Sequence, residues 1–481
     1  MKKNIIKLTV GLSTIITLST DAYATLKSDK VTLKNNMTIK YNQLPGSVDS
    51  LSAMFKEGIF YGRIRVNTFY WDWDKEIQNK TKDNKAMGVG GSLIYKSAKF
   101  SGISTTFGLY TSQNPDFFRM DKKDVAYVKA GKDTFSRYKV QTEGEFGMNV
   151  LAQAYLQYDR AKMSIIAGRQ LFESVFTQSN DTKMIPNSFD GITITSNDIQ
   201  NTTIKVGYLL KQKLRDHISS HDVIAYDPNN QNNGNDDSAV NKSLTVDLVG
   251  DNNKLIIASI TNRSFKNLKT NISYATVPNI LSELSLEGHY TIPVGSWKII
   301  PGVRYMMQFD KLHTTTAVAN LKGDTTGYKD PNSLDTDLLC ARIDFKNGAF
   351  LGRLGYSKVA DKADIIAPWR AAPTGGFTRA MGQYNWYANT KTYLIRAGYD
   401  FSKAHIIPGF SIMARYAIED FDDNKPKVQA DTNILNIDAR QNIAHDMELK
   451  LRIGLADMKT GSTNKSDLSY NEYRFEINYF F

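Results

Sequence analysis

Tyr473-Arg474-Phe475-Glu476-Ile477-Asn478-Tyr479-Phe480-Phe481 closes the sequence, and counting back from Phe481 every second residue is large and apolar. Arg474, Glu476 and Asn478 fall between them, and Glu472 extends the polar phase upstream. A period of two is the signature of a β-strand, whose successive side chains point to opposite faces. Apolar on one face and polar on the other suits a strand with lipid outside and water inside. Such a strand can also belong to a soluble sandwich, but a sandwich has no reason to finish on an aromatic residue.

The same period recurs upstream. Met447, Leu449, Leu451, Ile453 and Leu455 alternate with Asp446, Glu448, Lys450, Arg452 and Gly454, and Phe410, Ile412, Ala414, Tyr416 and Ile418 with Ser411, Met413, Arg415, Ala417 and Glu419. Val303, Tyr305, Met307 and Phe309 oppose Arg304, Met306, Gln308 and Asp310, and Phe60, Gly62, Ile64, Val66 and Tyr70 oppose Tyr61, Arg63, Arg65, Asn67 and Phe69. Tyr, Trp and Phe flank the apolar sets, as expected of interfacial girdles. The fold expected is all-β: a transmembrane antiparallel up-and-down β-barrel with long external loops.

Nineteen candidate strands can be marked, and parity reduces them. Both chain ends on one side require an even number, with short turns on that side and long loops on the other. Residues 268–278, with Asn271, Pro278 and poor alternation, are the weakest and are discarded. Short turns then fall near 97–99, 159–161, 196–201, 250–253, 291–296, 346–348, 402–405 and 443–445. Long connections fall near 113–147, 170–189, 211–240, 264–280, 311–335 and 360–384. Eighteen strands is the consistent count, and barrels of 16–18 strands enclose an aqueous channel.

The chain's start reads as an export signal. Lys2, Lys3 and Lys7 precede a short apolar stretch from Ile5 to Leu18, and Ala22-Tyr23-Ala24 has the small-x-small form of a cleavage site. Residues 1–24 are expected to be a signal peptide, 25–57 a periplasmic extension across the lower mouth, and 58–481 the barrel. Mean hydropathy is −0.38 over 481 residues, and nothing after the leader looks like a transmembrane helix. Cys340 is the only cysteine, so no intrachain disulfide can form. The net charge of +11 falls by two to +9 when Lys2, Lys3, Lys7 and Asp21 leave with the signal. No basic run or helix-turn-helix pattern accompanies it, so nucleic acid is not an expected partner. Outer-membrane lipid and lipopolysaccharide, the barrel-assembly machinery and small hydrophilic solutes are the expected ones, with monomer and trimer both open.

The wet phase carries Arg63, Arg65, Arg304, Arg342, Arg353, Arg396, Arg415, Arg452 and Arg474. A guanidinium fork donates two parallel hydrogen bonds to a carboxylate, so these side chains could steer anionic solutes. The bland alternative is pairing across strands, because Glu283, Glu287, Asp344, Asp400, Glu419, Asp438, Glu448 and Glu476 share that phase. After the fifth strand, the segment from Gln170 to Gly191, which contains Ser179-Asn180-Asp181-Thr182-Lys183-Met184-Ile185-Pro186-Asn187-Ser188-Phe189-Asp190-Gly191, has the length and the proline of a structured loop that could fold inward and narrow the lumen, and its composition suits an ordinary external loop equally.

That segment resembles the third-loop motif of the OprD-like outer-membrane channels: Asn180-Asp181, the basic Lys183, Pro186, then Phe189-x-Gly191. Thr432 to Arg440, Met447 to Arg452 and Asn471 to Arg474 are also similar to that family, loosely over the whole mature chain, although this chain ends Asn-Tyr-Phe-Phe rather than Tyr-Pro-Leu. The resemblance implies eighteen strands, a constricting third loop, an arginine ladder on one wall and uptake of small carboxylate-bearing nutrients. It assigns Asp181 and Lys183 to the constriction and the wet-phase arginines to the ladder.

Other motifs carry less. His217 and His221 stand four apart beside Asp222, but in a polar loop, where solvated histidines outnumber metal ligands. Gly88-Val89-Gly90-Gly91-Ser92 lacks the helix of a nucleotide fingerprint, and strand glycines more often relieve crowding. The Asn-rich stretch from Asp227 to Asp237 lacks the spacing of a calcium loop. No catalytic set, metal or cofactor is expected. The function expected is a passive pore. A barrel enzyme is a weaker alternative, because such enzymes favour smaller barrels, and a surface adhesin acting through long loops is compatible with a pore.

Overall fold

The computed structural model describes residues 28–228, 240–382, 384–460 and 465–481. The expected signal peptide lies outside them. Eighteen antiparallel strands form the wall: β1 Ile59–Trp73, β2 Asn84–Lys96, β3 Ile103–Gln113, β4 Met148–Arg160, β5 Met163–Gln170, β6 Ser188–Ser196, β7 Thr202–Lys213, β8 Leu255–Asn262 and β9 Leu268–Val277. They continue as β10 Leu281–Tyr290, β11 Trp297–Asp310, β12 Thr336–Asn347, β13 Phe350–Val359, β14 Lys391–Asp400, β15 Phe410–Asp420, β16 Asp431–Ala444, β17 Met447–Lys459 and β18 Tyr470–Phe480. Each strand pairs with its sequence neighbour, and β18 closes on β1 with Tyr473 opposite Tyr70 and Glu476 opposite Asn67. Closure leaves no open edge, which a bilayer demands because lipid satisfies no backbone N–H or C=O.

The two phases face as the alternation requires. Phe60, Ile64, Tyr305, Leu354, Ile395, Tyr416, Phe475 and Tyr479 are exposed on the outside, whereas Arg63, Arg65, Asn67, Arg304, Gln308 and Glu476 are buried inside. Aromatic rings pair near the ends of the strands: Trp297 with Phe350 at 5.9 Å by the rim where β1 begins and β18 ends, Tyr70 with Tyr473 at 6.4 Å by the other.

The strand count stands, but its composition needs a correction. Residues 268–277 are a wall strand, paired along their length with β8 and β10. Residues 250–253 therefore lie at the external end of β8, and the turn on the periplasmic side is 263–267. The span 264–280 holds a strand, not a long loop. Its alternation is weak for a physical reason. Ala275 and Val277 face inward near the outer end, where loops fill the lumen, and both are completely buried in an apolar cluster. Polarity there no longer marks the inner face.

The hairpin region 28–42 turns into the lumen, and Ser47–Val48 pair with Lys99–Phe100 at the lower rim. Val31–Leu33 and Ile39–Tyr41 form a separate two-stranded hairpin, and Leu51–Lys56 form a short helix capped by the Ser50 side chain at the lower rim.

Candidate functional site: the lumen and its constriction

Loop 171–187 folds into the barrel, and Asp181 is its anchor. Arg63 and Arg65, two residues apart on β1, both point inward and both donate to the Asp181 carboxylate, Arg65 at 2.9 Å. Arg65 also reaches Glu476 of β18 at 2.6 Å. Asn67, next in the same phase, donates to the carbonyl of Lys183 at 2.8 Å. These residues thus act as a staple, and Arg63 and Arg65 are 1% exposed and do not line the channel. The loop fits closely because Gly88 of β2 faces it: a Cβ there would come within 2.6 Å of Met184.

Within the loop, Asn180 is left-handed, with φ of 48°, and lies on the channel surface with Thr182 and Lys183. Lys183 donates to the carbonyl of Ala130, and its ammonium sits 4.2 Å from the Phe69 ring centre. Burial, aided by Arg474, pushes the Lys183 pKa well below its ordinary value. Pro186 contributes its carbonyl to Lys213 at 3.0 Å, and Phe189 is fully buried at the start of β6.

Loop 171–187 does not narrow the lumen alone. Ala130 and Asp133 of loop 114–147 line the channel beside it, and Arg215 of loop 214–254 joins Asp133 at 2.9 Å to Thr182 at 2.9 Å. Gly131 permits that approach, since a Cβ there would lie 2.4 Å from Ala86. Loop 360–390 also turns inward. The carbonyls of Pro373 and Gly376 accept from Arg304, Arg342 and Arg353, and the Phe377 ring lies 5.0 Å from Arg304 and 5.1 Å from Arg342. Sequence reasoning missed these contributions. The signal was present in Ile365, Ile366, Trp369, Phe377, Trp386 and Tyr387, an apolar content that a loop surrounded by water has no use for.

The remaining arginines form a row over β11 to β15, β17 and β18. Arg304 pairs with Glu287 of β10 at 2.6 Å, Arg353 with Asp344 of β12 at 2.5 Å, Arg415 and Arg452 with Asp438 of β16, and Arg474 with Glu472 of β18. Arg342 stands 3.6 Å from Asp344 and is not on the channel surface. Arg396 of β14 is different. It stands in register between Arg353 and Arg415, and among the described residues no hydrogen bond or ion pair reaches its guanidinium, whose buried Nε has no partner.

These groups surround a cavity of about 1610 Å³. Among the described residues, twenty-one of those lining it are lysine or arginine and five are aspartate or glutamate. The excess is strongly positive and lies mainly on the arginine wall and the loops. Facing that wall are the hydroxyls and amide of Thr203, Ser259, Thr261 and Asn271, with Lys205 and Lys269. An arginine-rich wall, a facing wall of hydroxyl, amide and two ammonium groups, and a loop constriction line a polar passage.

The sequence model of the outer membrane porins of the OprD family matches residues 150–481. The chain belongs to the OprD family. Solved porins share the architecture at low identity. OpdK of Pseudomonas aeruginosa, determined with vanillate, superposes with a TM-score of 0.65 at 12% identity, covering 88% of this chain and 98% of OpdK. A BenF-like porin of Pseudomonas fluorescens Pf-5 gives 0.66 at 13%, covering 89% and 99%, and Pseudomonas aeruginosa OpdQ gives 0.62 at 16%, covering 89% and 99%. No curated protein sequence matches the chain. As an OprD-family porin the protein resides in the bacterial outer membrane.

Proposed function

We propose that this OprD-family porin lets small hydrophilic solutes cross the outer membrane passively and prefers those bearing a carboxylate. The observation that carries this reading is Arg396: a lumen guanidinium on the channel surface, flanked by two others and, among the described residues, not paired with a carboxylate. Its neighbours are paired with Asp344 and Asp438, so a solute carboxylate finds one open fork among occupied ones. The vanillate in the OpdK structure is a carboxylate, which agrees with the preference.

The test is single-channel recording of the purified protein across a planar bilayer in a salt gradient. A unit charge a few ångströms away is worth about 1 kcal/mol in a water-like medium. Removing it changes local anion occupancy about fivefold, since 1.4 kcal/mol is a factor of ten. Arg396→Gln is therefore expected to move the reversal potential towards zero while leaving the unit conductance nearly intact. An unchanged reversal potential would rule out Arg396 as the selective group.

A further inference from the structure

The N-terminal hairpin stands inside the pore, and its contacts span it. The turn at 34–37 is tightly fixed: Met37 N donates to the Lys34 carbonyl at 2.8 Å, Met37 is left-handed with φ of 65°, and Thr38 Oγ1 donates to Asn36 Oδ1 at 2.7 Å. Three-residue strands give no stable hairpin in water. This one is held by what its tip touches. Asn36 donates to Glu173 Oε1 at 2.8 Å, and the same oxygen accepts the Ser179 backbone N–H at 3.0 Å, two residues before Asp181. Met37, 1% exposed, lies against Lys450 of β17, with Nζ 3.4 Å from its sulfur. Tyr41 stacks on Tyr61 of β1 at 5.0 Å, and Ile39 and Tyr41 pack on the apolar cluster that contains Met184 and Ile185 of the constriction loop.

Glu173 is also tied to β7, whose Lys205 donates to its carbonyl at 2.9 Å. Strands β7 and β17 lie on nearly opposite sides of the barrel. The hairpin therefore bridges the lumen from one wall to the root of the constriction loop. Asn35 and Asn36 line the channel cavity, and Lys34 and Lys40 are exposed on the hairpin.

We infer that this hairpin is a strut built into the conduction path. It braces loop 171–187 from the periplasmic side, limits the pore's width below the constriction, and adds positive charge through its exposed lysines. It is thus a determinant of which solutes pass, alongside the wall arginines. The inference rests on the pore reading above.

The experiment compares the full-length protein with a variant lacking residues 30–42, both extracted from membranes, checked for heat-modifiable migration and recorded singly in planar bilayers. A hairpin with its side chains is about 10 Å across, so its removal is expected to raise unit conductance about twofold and to weaken any anion preference. Asn36→Ala, which cuts the bond to Glu173 together with the turn's own bonds from Thr38 but leaves the backbone ladder of the hairpin in place, is expected to leave mean conductance close to native and increase open-channel noise. It provides the readout if the deletion does not fold. A folded deletion with native conductance and selectivity overturns the strut, as does a quiet Asn36→Ala channel when the deletion cannot be made. A native protein that conducts nothing overturns the pore reading instead.

Discussion

Replacing Asp181 by asparagine keeps the shape of the constriction loop's anchor and removes its charge. An asparagine offers one side-chain oxygen where the carboxylate offered two, so Arg63 has no anionic partner beside it, only neutral acceptors such as the backbone carbonyl of residue 181 at 3.4 Å, while Arg65 keeps Glu476. Both guanidinium groups are buried, and removing one partner of a buried ion pair typically costs about 3–5 kcal/mol because the other charge stays uncompensated. What remains holding the loop is weaker. Asn67 bonds the Lys183 carbonyl, Arg215 bonds Thr182, Lys183 bonds the Ala130 carbonyl and Lys213 bonds the Pro186 carbonyl. Each such bond contributes about 1 kcal/mol net. A loss of about 3 kcal/mol lowers the ratio of docked to undocked loop by roughly two powers of ten. Single-channel records of Asp181→Asn should therefore show frequent excursions to larger conductance, and the loop should become a site of limited proteolysis between residues 171 and 187. A double variant, Arg63→Met with Asp181→Leu, replaces the pair by apolar groups and should recover part of the quiet behaviour. Native noise and native protease resistance in Asp181→Asn would show that the staple does not hold the loop.

Two further outcomes are expected. Asp364, in loop 360–390, is buried and accepts from the Tyr328 hydroxyl at 2.6 Å and from the backbone of Leu321 and Ala388, tying that loop to loop 311–335. Burial raises its pKa from 3.8 to about 6 despite those donors, so the folded state holds the proton more tightly than the unfolded one. Its contribution is complete below pH about 4 and lost as pH rises through 6, about 3 kcal/mol in all. Amide exchange at Leu321 and Ala388, corrected for intrinsic rate, should be slower at pH 5 than at pH 7.5, and equal protection would contradict this. Removing Phe481 takes away the last rungs of the closing seam, where its backbone exchanges hydrogen bonds with Gly62 at 3.0 and 3.3 Å. Less heat-resistant barrel in isolated outer membranes is expected, and native yield and native melting would contradict it.

Much of the wall was legible because one physical demand repeats at every strand: lipid outside and water inside force a period of two. β18 and β1 could be read almost residue by residue. β9 could not, because the demand fails where the inside is not water. Ala275 and Val277 meet buried loop side chains, so the inner phase becomes apolar and the pattern dissolves. The arginines' phase was equally legible, but their occupation was not. Whether a lumen guanidinium is free depends on loop carbonyls such as Gly376 and on an anchor such as Asp181, which are distant in sequence. Arg63 and Arg65 share the phase of Arg396 and serve a different purpose.

The spacing of the carboxylates explains why the open fork lies at β14. The acids that neutralise the row stand on β10, β12, β16 and β18, and each serves the arginines beside it. Continuing the alternation would put an acid on β14 at the level of the row, but β14's acid, Asp400, stands at the far end of the strand, and the position in register between Arg353 and Arg415 is Arg396 instead. Like charges directly opposite on neighbouring strands are destabilising, by a few tenths to about 1 kcal/mol for each pair. A wall selected for stability alone would place aspartate or glutamine there. Retaining a third guanidinium makes sense if the missing anion arrives with the solute and leaves again. Neutralising neighbours then keep the site shallow enough to release it, which conduction requires as much as attraction does.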